Sequence, residues 1–519
     1  MSYDSRSGSL RRCSRGTESS LARNHQLPRN RRCFAAAAGA ISFLLAGALE
    51  VHAQTWNNPA GGDWNINTNW SPQTVPTSSS VAAFEYPGNS YAVNVSAPAT
   101  ASAIDFDNLN PSLSVTLNLN SSLSVGSLDI LPSSSDHGTW NLEGAGTLSA
   151  SGDLEVGING GTGTFVQSGA TLDVANIDLT SGMYRGYGSY QISGGTLAVT
   201  GSETLSGGGN FFTQSGGSQS FGTLSITDAY GQSRYTVSAG TAIGVNATFN
   251  TFFLSELTVD GGSLKLSGSL QVNASTGVEG PAVLLASGTL DVNTYACSTA
   301  SAALNWAGGN LFINNSLQFG SSPFASGLTI PKGGLLGGNG TISNPVTVSS
   351  GGTLSPGDGG PGILTLAPDS GGGTLSAGSS FVAQINGTTA GSLSTNYSQL
   401  RYAPQALPAV AAPLLTLGGN LIFELGYAPS VGDSYTLISD QSGTLAITGT
   451  FTGLPEGAIF SAAFDGMSNN FQITYAGNGG DDVVVTDVPY APEPVLSLPC
   501  LACVSIMARR RARATRARP

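Results

Sequence analysis

A glycine-centred turn followed by a short alternating strand returns through the middle of this chain every 18 to 26 residues or so, with gaps, and no other feature narrows the fold as far. Copies are Ser168-Gly169-Ala170-Thr171-Leu172, Ser193-Gly194-Gly195-Thr196-Leu197 and Asp260-Gly261-Gly262-Ser263-Leu264, then Ser287-Gly288-Thr289-Leu290, Ala307-Gly308-Gly309-Asn310-Leu311 and Ser350-Gly351-Gly352-Thr353-Leu354. Glycine supplies the positive φ of a sharp turn without a side-chain clash. After the turn, Leu172 and Val174, Leu197 and Val199, or Leu264 and Leu266 fall on one face, the period of a strand with one buried side. Before it lies an aromatic-led piece such as Phe165-Val166-Gln167, Tyr190-Gln191-Ile192, Phe212-Thr213-Gln214 or Tyr235-Thr236-Val237, and a third short strand follows at Leu154/Val156, Ile177/Leu179, Leu224/Ile226, Leu270/Val272 and Leu317/Phe319.

Three strands per unit of roughly 23 residues make one coil of a parallel β-solenoid. A single coil buries little; stacking turns the leucine and valine positions into internal ladders. The prediction is an all-β chain whose centre is a parallel β-solenoid (β-helix) of about nine or ten coils, roughly 45 Å long at about 4.8 Å per coil. An antiparallel β-sandwich array also fits short strands and glycine turns and stays open.

The boundaries expected are a signal peptide over 1–53, a Trp-rich β cap over 54–135, solenoid repeats over 136–375, a β module over 376–490 and a sorting tail over 491–519. In the cap, Trp56, Trp64 and Trp70 lie within fifteen residues. They suit either a plug over the open end of a solenoid or a platform for stacking sugars, and the plug is the expected role. Charge is uneven. Between residues 54 and 490 only Arg185, Arg234, Lys265, Lys332 and Arg401 stand against 27 acidic residues, a net charge of −22. Such a surface repels nucleic acid and anionic membrane and tolerates divalent cations. Cys297 is the single cysteine of that stretch, so no disulfide forms within it.

The two ends read as addresses. Eight arginines precede residue 33, an apolar run covers Phe34 to Leu49, and Val51-His52-Ala53 offers a small-residue cleavage pattern that sets the cut between Ala53 and Gln54. Arg31-Arg32-Cys33-Phe34 also fits a twin-arginine signal, so both export routes stay open, as does an uncleaved anchor. At the other end come Pro492-Glu493-Pro494, an apolar run from Val495 to Ala508, and Arg509, Arg510, Arg511, Arg513, Arg516 and Arg518. Fourteen residues span about 21 Å as a helix, short of a hydrocarbon core of about 30 Å, so the run suits a transient hold on the membrane with its arginines inside. Cys500 and Cys503 read there as small apolar residues.

This tail resembles the PEP-CTERM sorting signal of exported bacterial envelope proteins, matching it at Pro492, Glu493 and Pro494 and in the order of apolar run and arginines. It departs from the family at Ala491, where valine is usual, and in its shorter span. The resemblance implies recognition by an exosortase-type transpeptidase as a transient partner. Most of residues 55 to 490 resembles exported proteins with autotransporter-associated β-strand repeats, through Gly337-Gly338-Asn339-Gly340-Thr341-Ile342, Gly352-Thr353-Leu354-Ser355-Pro356-Gly357, Tyr397-Ser398-Gln399-Leu400, Gly449-Thr450-Phe451 and Asp481-Asp482-Val483-Val484-Val485. With Pro-Glu-Pro, a short apolar run and arginines following residue 490, the expectation is a shared passenger-like repeat without the membrane barrel in which true autotransporters end.

Catalytic chemistry finds few residues. Lyase chemistry needs a basic side chain, and only five are present in this stretch. His137 is its single histidine and reads as a loop residue, and no convincing Gly-x-Ser-x-Gly elbow exists. Paired carboxylates make glycosidases, and Asp173 with Asp178, or Asp153 with Glu155, are the outer-face candidates. Gly477-Asn478-Gly479-Gly480-Asp481-Asp482 and Gly357-Asp358-Gly359-Gly360 have the look of a calcium nonapeptide, but single copies are expected to be ordinary turns. The expected protein is therefore not an enzyme and takes no cofactor, metal or nucleic acid. It is a structural or adhesive protein of the cell envelope or extracellular matrix, exported, touching membrane only through its tail and associating with extracellular polysaccharide. The alternative is a polysaccharide-active β-helix lyase or glycosidase.

Overall fold

A computed structural model describes residues 53–489 except 86–88, 107–113, 131–136, 158–161, 181–186, 229–230, 252–254, 275–282, 299–303, 321–326, 369–371, 404–413 and 444. The chain is all-β: among the described residues a single 3-10 turn, Asn67–Asn69, breaks the run of strands, and no helix is long and apolar enough to cross a membrane. Strands pair in parallel with the strand one coil away, which makes a β-solenoid of about 11 turns and rules out the antiparallel array. The stack exceeds the nine or ten coils expected because parallel pairing starts before residue 136, with Tyr91–Val95 on Ser114–Leu119, and continues past 375, with Ser380–Ile385 on Asn420–Leu425.

The alternation works as the sequence dictates. In Thr171–Val174 and Ser114–Leu119 every second residue is buried. Inward residues stack in register along three faces. One ladder runs Ile104, Leu128, Leu154, Ile177, then Glu203, then Leu224, Ala247 and Leu270. A second runs Leu148, Leu172, Leu197, then Gln219, then Ala242, Leu264 and Leu290. The aromatic-led strands build a third, in which the rings of Phe165, Tyr190, Phe212 and Tyr235 stack face to face with centroids 5.1, 5.0 and 4.6 Å apart. Parallel stacking of side chains one coil apart is the packing unit of the whole core.

The turns stack too. Gly195, Gly217 and Gly240 occupy one column at φ of 79°, 67° and 75°. A Cβ on Gly195 would stand 2.1 Å from the Ala170 carbonyl oxygen one coil below, so both backbone geometry and space demand glycine there.

Each end is closed by a different device. Gln54–Trp56 pairs antiparallel with Trp70–Ser71 and parallel with Val81–Ala83, folding a hairpin over the first coil. Beneath it Trp56, Trp64 and Trp70 are fully buried, packed edge to face with centroids 5.0 and 4.9 Å apart, and Phe84 joins them to Trp140 at 5.2 Å. The three indoles are core residues of the plug, with no ring face left for a sugar. At the other end Ile459–Phe464, Met467–Gly477 and Asp482–Val488 form an antiparallel sheet attached to Ser434–Asp440. Gly477 pairs with Asp482 across its hairpin, and Asp482 spends its carboxylate on the Asp440 N–H and the Asn478 amide, both at 2.7 Å. That stretch is an ordinary hairpin turn.

Candidate functional site

The outward side of the ladder that begins at Ile104 carries acid on four successive coils. Asp105, Asp129, Glu155 and Asp178 stand in register, and Thr204 follows. The parallel pairing fixes their spacing at about 4.8 Å, the strand separation of a sheet. Asp153, at the corner before Leu154–Val156, turns toward the same column and accepts a 2.7 Å hydrogen bond from Asn176 Nδ2. One carboxylate oxygen each from Asp153, Glu155 and Asp178 lies within 4.8 Å of the others. This is the arrangement of hard oxygen donors that a divalent cation takes, with water completing its shell.

Electrostatics follow from the crowding. Partial burial pushes the Asp129, Glu155 and Asp178 carboxyls above their ordinary values, and the neighbouring acids push the same way. A carboxyl whose value rises on folding stabilises the fold fully below the ordinary carboxylate range and loses that contribution as pH climbs through the raised value. Asp178→Asn is therefore expected to stabilise the protein near neutral pH. The gain should stay under about 1 kcal/mol because solvent screens these half-exposed groups. Calcium should mask it by neutralising the wild-type column. A thermal melt with and without calcium and chelator checks both statements, and equal melting temperatures for the two proteins in chelator contradict the first.

Of the carboxylates singled out from sequence, Asp153, Glu155 and Asp178 come together. Asp173 does not: it lies on the adjoining face, in register with Ser149 and Ala198, so Asp173 and Asp178 make no pair. Asp105 and Asp129 were missed because the glycine period that sets register starts only near residue 140. His137 is a strand residue rather than a loop residue, its backbone opening His137–Gly144 in register with Thr162.

Beside the acidic column an open groove of about 530 Å³ crosses the first coils. Its floor is Ala101, Val125 and Ala150, and Ser78, Thr100, Ser102, Ser124, Ser149 and Ser151 bring hydroxyls to it. Thr100, Ser124 and Ser149 belong to one outward ladder, so donors and acceptors repeat coil by coil. The Ser102 hydroxyl is buried without a hydrogen-bond partner.

A third polar group lies farther along the stack. Lys265 pairs with Asp291 and stands 3.8 Å from Asp358, while Asn314 Nδ2 donates to Asp291 Oδ1 at 2.8 Å and to Asp358 Oδ2 at 3.2 Å. The hydrogen bond to Asp291 raises the Lys265 ammonium above its usual value. That direction holds the proton on, the opposite of what a lyase base requires. Asp358 thereby ties the Gly357–Gly360 turn to the face beneath it. This turn is a clasp between coils.

At the amino end the expected cleavage point falls at the first described residues: Ala53 is exposed and Gln54 opens the first strand. The residues of the sorting signal, Pro492, Glu493, Pro494, Arg509, Arg510 and Arg511, lie outside the described residues, as do Val51 and His52. No protein-family model matches the chain, and a search of curated proteins finds no match.

Proposed function

We propose that this is an exported structural or adhesive protein of the cell envelope or extracellular matrix, held there by its PEP-CTERM-like tail and associated with extracellular polysaccharide. The observation that carries the reading is the continuity of the stack. From Gln54 to Asp440 the described chain is spent on coils whose inward positions are mostly apolar and whose outward positions are mostly Ser, Thr, Asn and acid. Such a surface suits a scaffold that displays hydroxyls and carboxylates at a fixed repeat. The groove of Ser78, Thr100, Ser124 and Ser149 is where a neutral sugar chain would lie, its hydroxyls exchanging hydrogen bonds with the ladder. The net charge of −22 over residues 54–490 disfavours polyanions and anionic lipid there.

In this reading Pro492, Glu493 and Pro494 are recognised by an exosortase-type transpeptidase while Arg509, Arg510 and Arg511 hold the tail on the cytoplasmic side. The test is fractionation of the producing cell. The full chain should be found with the envelope, and a chain lacking residues 491–519 should shift to the medium or the periplasm. An unchanged distribution refutes the sorting role.

A further inference from the structure

Two inward ladders are interrupted in the middle of the stack, in adjacent coils. Glu203 stands where the coils on either side place Ile177 and Leu224, and Gln219 stands where they place Leu197 and Ala242. Glu203 is fully buried and Gln219 nearly so. Tyr235, in the aromatic ladder of the next coil, is also fully buried. The three side chains come from consecutive strands, Thr196–Gly207, Phe211–Asp228 and Arg234–Thr251.

They form a closed ring of contacts. Gln219 Nε2 lies 2.5 Å from Glu203 Oε1. The Tyr235 hydroxyl oxygen lies 3.2 Å from Glu203 Oε2 and 3.0 Å from Gln219 Oε1. Three contacts need three hydrogens. The amide meets its two neighbours through one nitrogen and one oxygen, so it supplies one hydrogen to the ring. The phenol supplies one more. With a hydrogen of its own for each contact, the third comes from a carboxylic acid O–H on Glu203. Turning the amide over changes which contact its N–H serves and leaves the count unchanged. With a carboxylate, one contact becomes two acceptors facing each other and a charge without a cationic partner sits in the core, which is costly.

We propose that a protonated Glu203 closes this ring and clasps three consecutive coils, so that the centre of the solenoid is held by a proton and loosens in alkaline surroundings.

The titratable groups facing the carboxyl are phenols: Tyr235, and from the strand Tyr187–Ile192 Tyr190, whose hydroxyl donates to Gln167 Oε1 at 2.5 Å. Gln167, which the Tyr190 hydroxyl meets, and Ile177 and Leu224, the neighbours of Glu203 in its ladder, carry no charge. Burial pushes Glu203 from an ordinary 4.5 up to about 8, and it pushes Tyr190 and Tyr235 well above the usual phenol range. The sign follows. A raised carboxyl stabilises the fold fully below about pH 4.5, loses that contribution as the unfolded chain ionises, and has lost it once pH passes about 8.

Two measurements on the full chain test the clasp. With glutamate-selective ¹³C labelling, one carboxyl should titrate with a midpoint near 8 and be missing from Glu203→Gln. Denaturant unfolding should show the wild type losing roughly a thousandfold in its folding equilibrium between pH 4.5 and 8 relative to Glu203→Gln, whose amide supplies the third hydrogen at every pH. A wild type in which no glutamate titrates above pH 7, or a variant with the same pH slope as the wild type, overturns the proposal. Should Glu203→Gln fail to fold, the wild-type titration alone decides.

Discussion

Trp70→Ala should cost about 4 kcal/mol, and the loss should be confined to the amino-terminal coils. Trp70 has no exposed surface and sits between Trp56 and Trp64, with Phe84 at 5.7 Å. Its indole N–H donates to the Trp64 carbonyl at 2.7 Å, so truncation empties a large cavity and orphans a buried acceptor. It also loosens the hairpin of Gln54–Trp56 on Trp70–Ser71 that covers the first coil. Repeat arrays couple each unit only to its neighbours, so the loss should not spread along the stack. Hydrogen exchange checks this. Amides of Tyr91–Val95 and Ser114–Leu119 should exchange faster in the variant, while those of Thr289–Cys297 keep their protection. Acceleration along the whole stack would contradict the picture of independent coils.

Gly195→Ala is expected to cost at least about 3 kcal/mol despite adding a single methyl group. The added carbon meets the Ala170 oxygen at 2.1 Å and the Gly169 oxygen at 2.3 Å, and the backbone at φ 79° disfavours any L side chain. The same column contains its own control. Ala170 is held at φ 55°, so Ala170→Gly relieves strain where Gly195→Ala creates it. It should be neutral or stabilising by up to about 1 kcal/mol. The urea midpoint should therefore fall for Gly195→Ala and hold or rise for Ala170→Gly. A shared direction would mean that the turn column does not carry the strain assigned to it.

How much of this was legible in the sequence depended on whether a residue lay next to a glycine turn. Leu172, Leu197 and Leu264 follow turns directly, and their inward placement and mutual register were readable from spacing alone. The three tryptophans were readable as a plug because a solenoid end needs one. The acidic column was readable only in part. Asp105 and Asp129 lie in coils without the glycine mark, and nothing local reveals that they sit above Glu155 and Asp178. Asp173 misled because alternation says outward without saying which of three outward faces. Glu203 was hidden for a different reason. It shares with Leu205 the spacing of Ile177 with Leu179, but a charged residue at an inward position breaks the pattern by which inward positions are recognised. The same break makes it informative once the ladder is seen.

The stacking of like upon like has an evolutionary corollary. Each coil meets its neighbours through parallel pairing, with local register shifts, and through a column of turns, so a duplicated coil inherits a partner above and below. Gain or loss of whole units by unequal recombination, outside the capping hairpin and the coils tied by Glu203, leaves the remaining junctions paired. Length can thus drift between descendants of such a gene without passing through misfolded intermediates, whereas an insertion of a few residues inside a strand cannot.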